Sequence, residues 1–521
     1  MTILRNVLGV GAATLASRLL GFLRDGLIAV VLGAGPVADA FVVAMRLPNL
    51  FRRMFAEGAF AAAFVPVFMA LVAERGAAAA RRFAGTALLA LLLVVGLLTL
   101  AVWTWSEAVV GLVAPGWRGD AAKVALAAEF VRLTFAYLAG VTVVALLGGM
   151  LAAERRFFAA AFAPVLLNLV FVAVLVSILI AGSVEPVEAG RVLSYAYAGA
   201  GLLQAAFVAA AAARAGTLPR FSVPRADPAF AAFARTLGPG LVAGGFGEIY
   251  VVVATMIASA DPGAVSWLYY ADRLYQLPLG LVGIAVGQVL LPEIADIAAR
   301  DPAEAHAIQN RAFEFALATA LPAAVGLALL ADPIVAVLFR RGAFTAVDAS
   351  ACADALTVAA IGLPAAVALR VLAAAHFGRG DTRTPMRLGL VAITANVALA
   401  LALRPSLGWI AVAVAATAGV WLNAVLLGTS LTRRGDWRFD AEARRRLPRI
   451  VLSAAAMGVA VFVAGRFGLA ALAETEGGGT VRVLALAALV GIGIAVHAAG
   501  LAVSGLLGPG ELLRRSRGTP V

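Results

Sequence analysis

The sequence predicts an all-α integral membrane protein with about fourteen transmembrane helices. Hydrophobic residues occupy 63% of its 521 positions, charged residues occupy only 13%, and the mean hydropathy is +0.98. A soluble domain usually has about 25% charged residues. Apolar runs of about 20 residues, long enough to cross a hydrocarbon core about 30 Å thick, recur about fourteen times along the chain.

The apolar runs form two sets of six and a final pair. The first set covers residues 4–32, 37–73, 84–113, 124–153, 158–181 and 192–213. The second set covers residues 238–260, 265–295, 312–331, 350–377, 385–403 and 407–431. The final pair covers residues 450–467 and 481–507.

This pattern predicts two six-helix lobes followed by two extra helices. The predicted boundaries are residues 1–224 for the first lobe, 225–435 for the second and 436–521 for the extra pair. The linker between the lobes contains several prolines, and we expect a short amphipathic helix there, at the membrane interface.

Two weak internal matches suggest that the lobes arose by duplication. The stretch AMRLPNLF, from Ala44, resembles ADRLYQLP, from Ala271, and residues 150–164 resemble residues 371–385. Six spans in each set give both lobes the same orientation, so the repeat is expected to be parallel and the lobes pseudo-symmetric. Chance similarity in an alanine-rich chain is the alternative.

The distribution of charge predicts the orientation in the membrane. The formal net charge is +12, and the arginines cluster in alternate loops. By the positive-inside rule these loops are cytoplasmic, and an even number of spans places both termini there as well. Nucleic-acid binding is disfavoured, because no basic patch with interleaved aromatic residues lies on a soluble domain.

The usage of cysteine, histidine and lysine narrows the chemistry. Cys352 is the only cysteine, which excludes an intramolecular disulfide, and the three histidines are too far apart in sequence to suggest a metal site. Lys123 is the only lysine and lies in a predicted external loop. The chain therefore lacks the lysine-containing phosphate loop of ATPases, and transport must use an ion gradient, the membrane potential or consumption of the product.

The first span carries charges that hydrocarbon disfavours. Arg18 lies about 14 residues, or about 21 Å, from either end, too far for its side chain to reach a membrane surface. Asp25 lies seven residues further on, nearly beneath Arg18, so we expect these two to pair and Arg24 to be the freer donor. Charges at this depth normally face a bundle interior or a water-filled path.

The second span continues this pattern. Four polar residues fall on one helical stripe, at i, i+3, i+7 and i+11: Arg46, Asn49, Arg53 and Glu57. Arg52 lies about 100° to the side of the stripe. Asp39 opens the helix, and its alternative role is that of an N-terminal carboxylate stabilised by the helix dipole.

The repeat mate of the second span supplies Asp272 and Arg273. Guanidinium groups bind phosphate bidentately and are always charged, so the arginine set favours a diphosphate over a neutral sugar or a cation. The alternative is that these arginines make only structural salt bridges, although they outnumber the nearby carboxylates.

A separate polar set is a candidate site for ion coupling. It consists of Glu248, Asn396 and Thr417, which lie within the seventh, eleventh and twelfth spans. Their carboxylate, amide and hydroxyl oxygens suit Na⁺ or a proton, whereas scattered interhelical hydrogen bonds are the alternative. Arg370 is either a counter-charge for Glu248 or a second phosphate contact.

Four stretches resemble the lipid II flippase family (MurJ/MviN), a branch of the multidrug/oligosaccharidyl-lipid/polysaccharide exporter superfamily. They are SRLLGFLRDGLIAVVLGAGPVADAF, RLPNLFRRMFAEGAFAAAFVPVF, VSWLYYADRLYQLPLGLVGIAVGQVLLP and the RGDTRTP region. The resemblance implies fourteen helices in two lobes, with the last two helices forming a groove for a polyprenyl tail.

The resemblance also implies a set of substrate-binding residues. Residues that the family needs for transport match Arg18, Arg24, Asp39, Arg52 and Arg273, with Glu57 and Ser266 as further cavity members. Ala400, one turn past Asn396, departs from the cation-site pattern of part of the family, because a carboxylate can occur at that place.

The function implied by this resemblance is export of lipid II, the undecaprenyl-diphosphate-linked peptidoglycan precursor, across the bacterial inner membrane. The transporter would be no enzyme and would work by alternating access, driven by the membrane potential or by Na⁺ or H⁺, without ATP or another cofactor. Its partners would be lipid II, membrane lipids and other cell-wall synthesis proteins, and no nucleic acid.

Several rival functions remain open at this point. An exporter of another polyprenyl-linked oligosaccharide would share the architecture, and a drug/cation antiporter would need a cavity rich in carboxylates. An enzyme acting on polyprenyl phosphates would need an Asp-rich metal motif, and the sequence contains no paired Asp cluster. A scaffold without transport activity is the last alternative.

Overall fold

The computed structural model describes residues 2–56, 59–182, 184–221, 228–297, 301–466 and 478–506, and all regular structure in these ranges is helical. Within these ranges, nine helices are long and apolar enough to cross a membrane. The predicted all-α membrane fold is therefore confirmed. The described helices are consistent with fourteen spans but do not establish that number.

The chain divides into two compact units. Unit 1 contains residues 1–266 and 341–345, and unit 2 contains residues 267–340 and 346–521. This division by packing places the seventh predicted span in unit 1, although the predicted second lobe begins at residue 225. The three predicted segments, which follow from the sequence repeat, stay a prediction.

The helices of unit 1 follow the predicted spans closely. They are α1 (Thr2–Leu32), α2 (Pro36–Ala56), α3 (Ala59–Thr104), α4 (Ser106–Val113), α5 (Ala121–Phe135), α6 (Tyr137–Ala153), α7 (Phe158–Ala181), α8 (Pro186–Arg214) and α9 (Pro228–Ala258). A break at Gly76, where φ is +77°, divides α3 into the end of the second predicted span and the start of the third.

The helix α10 (Ala264–Ile297) begins at the end of unit 1 and continues into unit 2. The further helices of unit 2 are α11 (Pro302–Leu329), α12 (Ala331–Leu338), α13 (Ala346–Phe377), α14 (Arg383–Leu407), α15 (Ala411–Arg434), α16 (Ala441–Ala464) and α17 (Gly478–Val503). Local sequence sets their ends: Asp301 and Asp440 accept hydrogen bonds from the first turns of α11 and α16, and Gly435 closes α15 in a left-handed conformation.

The order of helices is consistent with the predicted duplication. The helices α1 and α9 each contain 31 residues, and each is followed by the helix that carries one copy of the first repeated motif. The second repeated motif likewise ends inside α7 in one copy and inside α14 in the other.

Phenylalanine side chains form the core where α3 packs against α6 and α9 in unit 1. The buried Phe64 ring stacks on the rings of Phe60 and Phe83, with centroids 5.2 and 5.6 Å apart. Phe233, near the start of α9, packs edge-on against the Phe60 and Phe64 rings. These contacts fix the start of α9 against α3.

The linker between the predicted lobes lies along α3. The backbone N–H of Arg220 donates to the carbonyl oxygen of Arg81 at 2.9 Å, and residues 217–221 are not helical. A separate amphipathic helix does not occur in these residues or in α9, which runs unbroken from its first residue. The rest of the predicted linker helix, residues 222–227, lies outside the described residues.

Candidate substrate site

Arg24 lies where α1 packs against α7. Its Nε and Nη2 donate to Asp25 Oδ1 at 2.9 and 2.7 Å, and its Nη1 donates to Asn168 Oδ1 at 3.0 Å. The guanidinium carbon lies 5.7 Å from the centroid of the Phe171 ring. These contacts hold the plane of the guanidinium group in one orientation, which suits it to bidentate recognition of a phosphate.

The expected pairing of Arg18 with Asp25 is wrong. Asp25 is 2% exposed and its carboxylate is bonded to Arg24, whereas Arg18 is exposed and forms no hydrogen bond or ion pair within the described residues. Helical periodicity does place Asp25 beneath Arg18, but Asn168 on the neighbouring helix draws the Arg24 side chain to Asp25. Arg18, rather than Arg24, is therefore the more accessible donor on α1.

Asn168 is a residue of this site that sequence reasoning missed. It is 5% exposed on α7, and its Nδ2 donates to the carbonyl oxygen of Ser17 at 2.8 Å while its Oδ1 accepts from Arg24. This orientation of the amide satisfies both partners, so the side chain ties α1 to α7. The available signal was a lone amide in the middle of an otherwise apolar span.

Arg46 and Arg53 dock α2 onto α9. Arg46 Nη1 donates to Thr255 Oγ1 at 2.5 Å, and Arg53 Nη1 donates to Glu248 Oε1 at 2.8 Å. Seven residues separate the two arginines, and seven separate their partners in the opposite order, as expected for antiparallel helices in contact. The structure thus places both arginines of the predicted stripe on the face of α2 that meets α9.

Glu248 is engaged inside unit 1. It forms an ion pair with Arg53, and the two side chains are 13% and 40% exposed. Arg53 therefore supplies the counter-charge for which Arg370 was one candidate, while Arg370 is an exposed residue of α13 in unit 2. A carboxylate that already bonds a guanidinium group is a poor ligand for an additional cation.

The two other residues of the predicted ion-coupling set belong to unit 2 and face different neighbours. Asn396 on α14 packs against Gly419, where an added Cβ would lie 2.9 Å from the Asn396 Cβ. Thr417 Oγ1 donates to the carbonyl oxygen of Val358 on α13 at 2.9 Å. Residues two apart on a helix point about 200° apart, so Thr417 and Gly419 present different faces of α15. Thr417 fits the alternative of an interhelical hydrogen bond.

Two further predicted arginines are each oriented by a residue on the same helix. Arg52 Nε donates to Asn49 Oδ1 at 3.1 Å, one turn earlier on α2. Arg273, on α10 in unit 2, lies over the ring of Tyr269 with its guanidinium carbon 4.6 Å from the ring centroid. Glu57 lies outside the described residues.

A buried carboxylate joins three helix starts in unit 1. Lys123 Nζ and the backbone N–H of Gly263 donate to Asp39 Oδ2 at 2.8 and 3.0 Å. Ser266 donates to Asp39 Oδ1 from its N–H at 3.0 Å and its hydroxyl at 2.8 Å. The Lys123 ammonium also lies 4.4 Å from the centroid of the Trp117 ring. This Asp39 cluster ties the start of α2 to the starts of α5 and α10.

The Asp39 cluster changes the interpretation of three residues. Lys123 is 7% exposed in the first turn of α5, so its predicted position in a loop is wrong, whereas its position on the external side stays a prediction. Asp39 and Ser266 are both 0% exposed. Their direct contact with a substrate stays a prediction, but the described geometry gives them a positioning role, because four donors already surround the carboxylate.

The arginine excess of the candidate site persists in the structure. Five of its arginines belong to unit 1: Arg18, Arg24, Arg46, Arg52 and Arg53. Asp25 and Glu248 each pair with one of them, so the arginines outnumber these two carboxylates by three. This balance suits an anionic ligand with several oxygen acceptors, such as a diphosphate.

Comparison with known families decides the classification. A family model described as "Lipid II flippase MurJ" matches residues 28–473. The chain belongs to the MurJ family. A MurJ relative from Rhizobium meliloti (strain 1021), "Probable lipid II flippase MurJ", is 43% identical over 466 residues, which cover 89% of this chain and 87% of the relative. "Lipid II flippase MurJ" of Burkholderia cenocepacia is 32% identical over 450 residues, covering 84% and 85% of the two chains.

Solved structures agree with MurJ membership at the level of the fold. "Lipid II flippase MurJ, inward closed conformation" matches with a TM-score of 0.79 at 20% identity, over 95% of this chain and 98% of that one. An inward-facing multidrug resistance MATE family transporter matches with a TM-score of 0.65 at 17% identity, over 80% and 94% of the two chains. Together with the nine apolar helices of the described ranges, MurJ membership makes this chain a multi-pass protein of the inner membrane.

Proposed function

We propose that this chain is a lipid II flippase, which moves the undecaprenyl-diphosphate-linked peptidoglycan precursor from the cytoplasmic to the periplasmic leaflet without changing it chemically. MurJ membership supports the proposal, because curated relatives carry this function in their names. The observation that carries it is the arginine excess on α1 and α2. A positive charge in a membrane-spanning helix has an unfavourable desolvation free energy, which an anionic partner offsets.

The arginines of unit 1 take different parts in this proposal. Arg18 is exposed and makes the first contact with the diphosphate. Arg24, whose plane is held by Asp25 and Asn168, then binds the diphosphate bidentately, and the substrate oxygens compete with the Asp25 carboxylate for its N–H groups. Arg52 adds further positive charge from α2.

The energy for export comes from the membrane potential in this proposal, and access to the substrate site alternates between the two sides of the membrane. An anion that leaves a negative interior gains about 2.3 kcal/mol per charge per 100 mV. A cation site is the weaker alternative, since Glu248 is bonded to Arg53 and since Asn396 and Thr417 face different neighbours.

Both termini are cytoplasmic in this proposal, following the arginine-rich loops. The connection between α16 and α17 is then periplasmic, and the chain offers a clean test because its only cysteine, Cys352, is 0% exposed. A Thr480→Cys variant places a thiol at an exposed position near the start of α17. A membrane-impermeant maleimide should label it in intact spheroplasts. Labelling only after the membrane is opened would reverse the orientation.

The decisive experiment measures the share of lipid II accessible from the periplasmic side in cells depleted of their own flippase. Wild-type chain should restore accessibility, and collapse of the membrane potential should abolish it. Arg24→Ala should fail although the protein reaches the membrane, whereas Arg24→Lys should retain partial activity because it keeps the charge without the bidentate geometry. The matched control is Arg118→Ala, at an exposed arginine outside the site. Full activity of Arg24→Ala would contradict the proposed role.

An exporter of a different polyprenyl-diphosphate glycan is the second candidate, because the arginines recognise the diphosphate rather than the sugar. Restoration of accessibility for another glycan lipid, but not for lipid II, would favour it. A cation exporter is disfavoured by the excess of arginine over carboxylate on α1 and α2, and the likeness to the MATE transporter concerns the fold alone.

A further inference from the structure

Unit 2 contains a cavity of about 690 Å³ outside the candidate substrate site. It lies between α12, the end of α16 and the start of α17. Much of its wall is apolar and includes Leu330, Pro333, Val337, Phe462 and Leu486. This volume lies within the range of about 300–1,000 Å³ that is usual for sites of small ligands.

Three arginines from different elements line the same cavity. Arg340 follows α12, Arg466 follows α16 by two residues and Arg482 lies in the first turns of α17. Within the described residues, none of the three forms an ion pair or a hydrogen bond, and Asp332 is the one carboxylate among the lining residues. The lining therefore has an excess of two positive charges beside an apolar wall.

The base of the cavity is packed, so the three elements hold a defined position within unit 2. Leu330, Met457, Val461 and Leu489 form a buried cluster, and all of them except Met457 also line the cavity. Deeper between the same helices, His497 of α17 bonds Ser453 of α16 through Nδ1 at 3.0 Å and the carbonyl oxygen of Ala318 on α11 through Nε2 at 2.9 Å. These contacts join α16, which Arg466 follows, and α17, which contains Arg482, to α11.

We propose that this cavity binds an anionic phospholipid, whose phosphate contacts Arg340, Arg466 and Arg482 and whose acyl chains cover Phe462 and Val337. Two properties of the site select this occupant. Guanidinium groups match phosphate oxygens in geometry and charge, and three of them converge on this cavity from different elements. The apolar wall favours a lipid over a soluble anion, because a soluble anion has no acyl chains to pack against it. With both termini cytoplasmic, the lipid belongs to the outer leaflet.

Arginines near helix ends can also serve as simple interface anchors, whose side chains extend to the water without a bound ligand. The two roles differ in measurable ways. An anchor has no preference for a headgroup charge, whereas the proposed site distinguishes phosphatidylglycerol from phosphatidylcholine of the same acyl chains.

The test uses the purified full-length chain in detergent, and native mass spectrometry measures the affinity for added lipid. Phosphatidylglycerol should bind the wild type more tightly than chain-matched phosphatidylcholine. The double variant Arg466→Gln/Arg482→Gln should lose about tenfold in phosphatidylglycerol affinity, and Arg340→Gln alone should lose about threefold. Arg118→Gln, at an exposed arginine of unit 1, is the matched control and should change the affinity by less than about twofold.

Two results of this measurement would overturn the proposal: equal phosphatidylglycerol affinity of the wild type and the double variant, or equal affinity of the wild type for the two lipids. A third would come from thermal unfolding of the wild type, if inorganic phosphate alone protected the chain as well as phosphatidylglycerol does. The last would identify a site for free phosphate. Because the three arginines are exposed, the variants should fold, and an unchanged unfolding temperature without lipid confirms this. The outcome is independent of the proposed flippase function, which the Arg24 variants test in unit 1.

Discussion

Replacing Lys123 with methionine should destabilise unit 1 strongly, because Lys123 is the one cation that bonds the fully buried Asp39 carboxylate among the described residues. The two side chains are 7% and 0% exposed, and the Nζ to Oδ2 distance is 2.8 Å. Removing one partner of a buried ion pair typically costs about 3–5 kcal/mol, since the remaining charge stays desolvated. Asp39→Asn should cost a similar amount by stranding the ammonium of Lys123. Ser266→Ala removes one hydrogen bond to the carboxylate and should cost about 1.5–3 kcal/mol.

A double-mutant cycle separates the ion pair from local effects. The free energy of unfolding is measured by chemical denaturation in detergent micelles, followed by circular dichroism, for both single variants and for Lys123→Met/Asp39→Asn. The double variant should lose at least about 2 kcal/mol less than the sum of the single losses, because it strands no charge. Asp120→Ala is the matched control: Asp120 caps the same turn of α5 by accepting from the backbone N–H of Lys123, and removal of this cap should cost about 1 kcal/mol without coupling to Asp39. Additive losses at Lys123 and Asp39 would refute the ion pair.

Three further predictions concern other contacts. Asn168→Ala should lower the free energy of unfolding by about 1–3 kcal/mol, because the Arg24 donor loses its buried acceptor. The same variant should reduce lipid II accessibility at unchanged protein level. Unchanged transport would contradict the positioning role of Asn168. Glu248→Gln should lower the free energy of unfolding by about 1 kcal/mol or less, because its partner Arg53 is 40% exposed. The double variant Glu248→Gln/Arg53→Gln should lower it by no more than the larger of the two single losses. Additive losses would exclude the ion pair. The Thr384 hydroxyl and N–H, with a nearby guanidinium, hold the pKa of the Asp381 carboxyl below its usual range. Its contribution to stability is therefore complete at neutral pH and is lost as the pH falls below about 4, so the deficit of Asp381→Asn in the free energy of unfolding should shrink with acidification. A deficit independent of pH would show that the charge plays no part.

The sequence predicted the spans well because a polypeptide backbone in hydrocarbon can adopt few conformations. Every N–H and C=O group in the membrane must be bonded internally, so a run of about 20 apolar residues forms a helix whatever its neighbours are. The fifth predicted span and α7 share the bounds 158 and 181. Breaks inside long apolar runs were harder to predict, as at Trp105 in the third predicted span and Ala136 in the fourth, because hydropathy does not report a change in backbone direction.

The candidate site was predictable in residue type and unpredictable in pairing. Helical periodicity identified the stripe of Arg46 and Arg53, but it also suggested the wrong partner for Asp25. Adjacent residues such as Arg24 and Asp25 do not share a helix face, so their pairing depends on how the flexible arginine side chain is drawn by Asn168, 144 residues away in sequence.

The sequence by itself determined that this chain is a multispanning helical protein with an excess of arginine in its first two spans, since hydropathy and charge are properties of each residue. Only the tertiary structure decided that Lys123 is buried against Asp39 and that Glu248 pairs with Arg53. Such partners come from segments 84 and 195 positions apart, and they are set by which helices become neighbours. Because charges interact strongly in a low-dielectric interior, the choice of neighbouring helices decides whether a charged side chain is paired with another residue or accessible to a ligand.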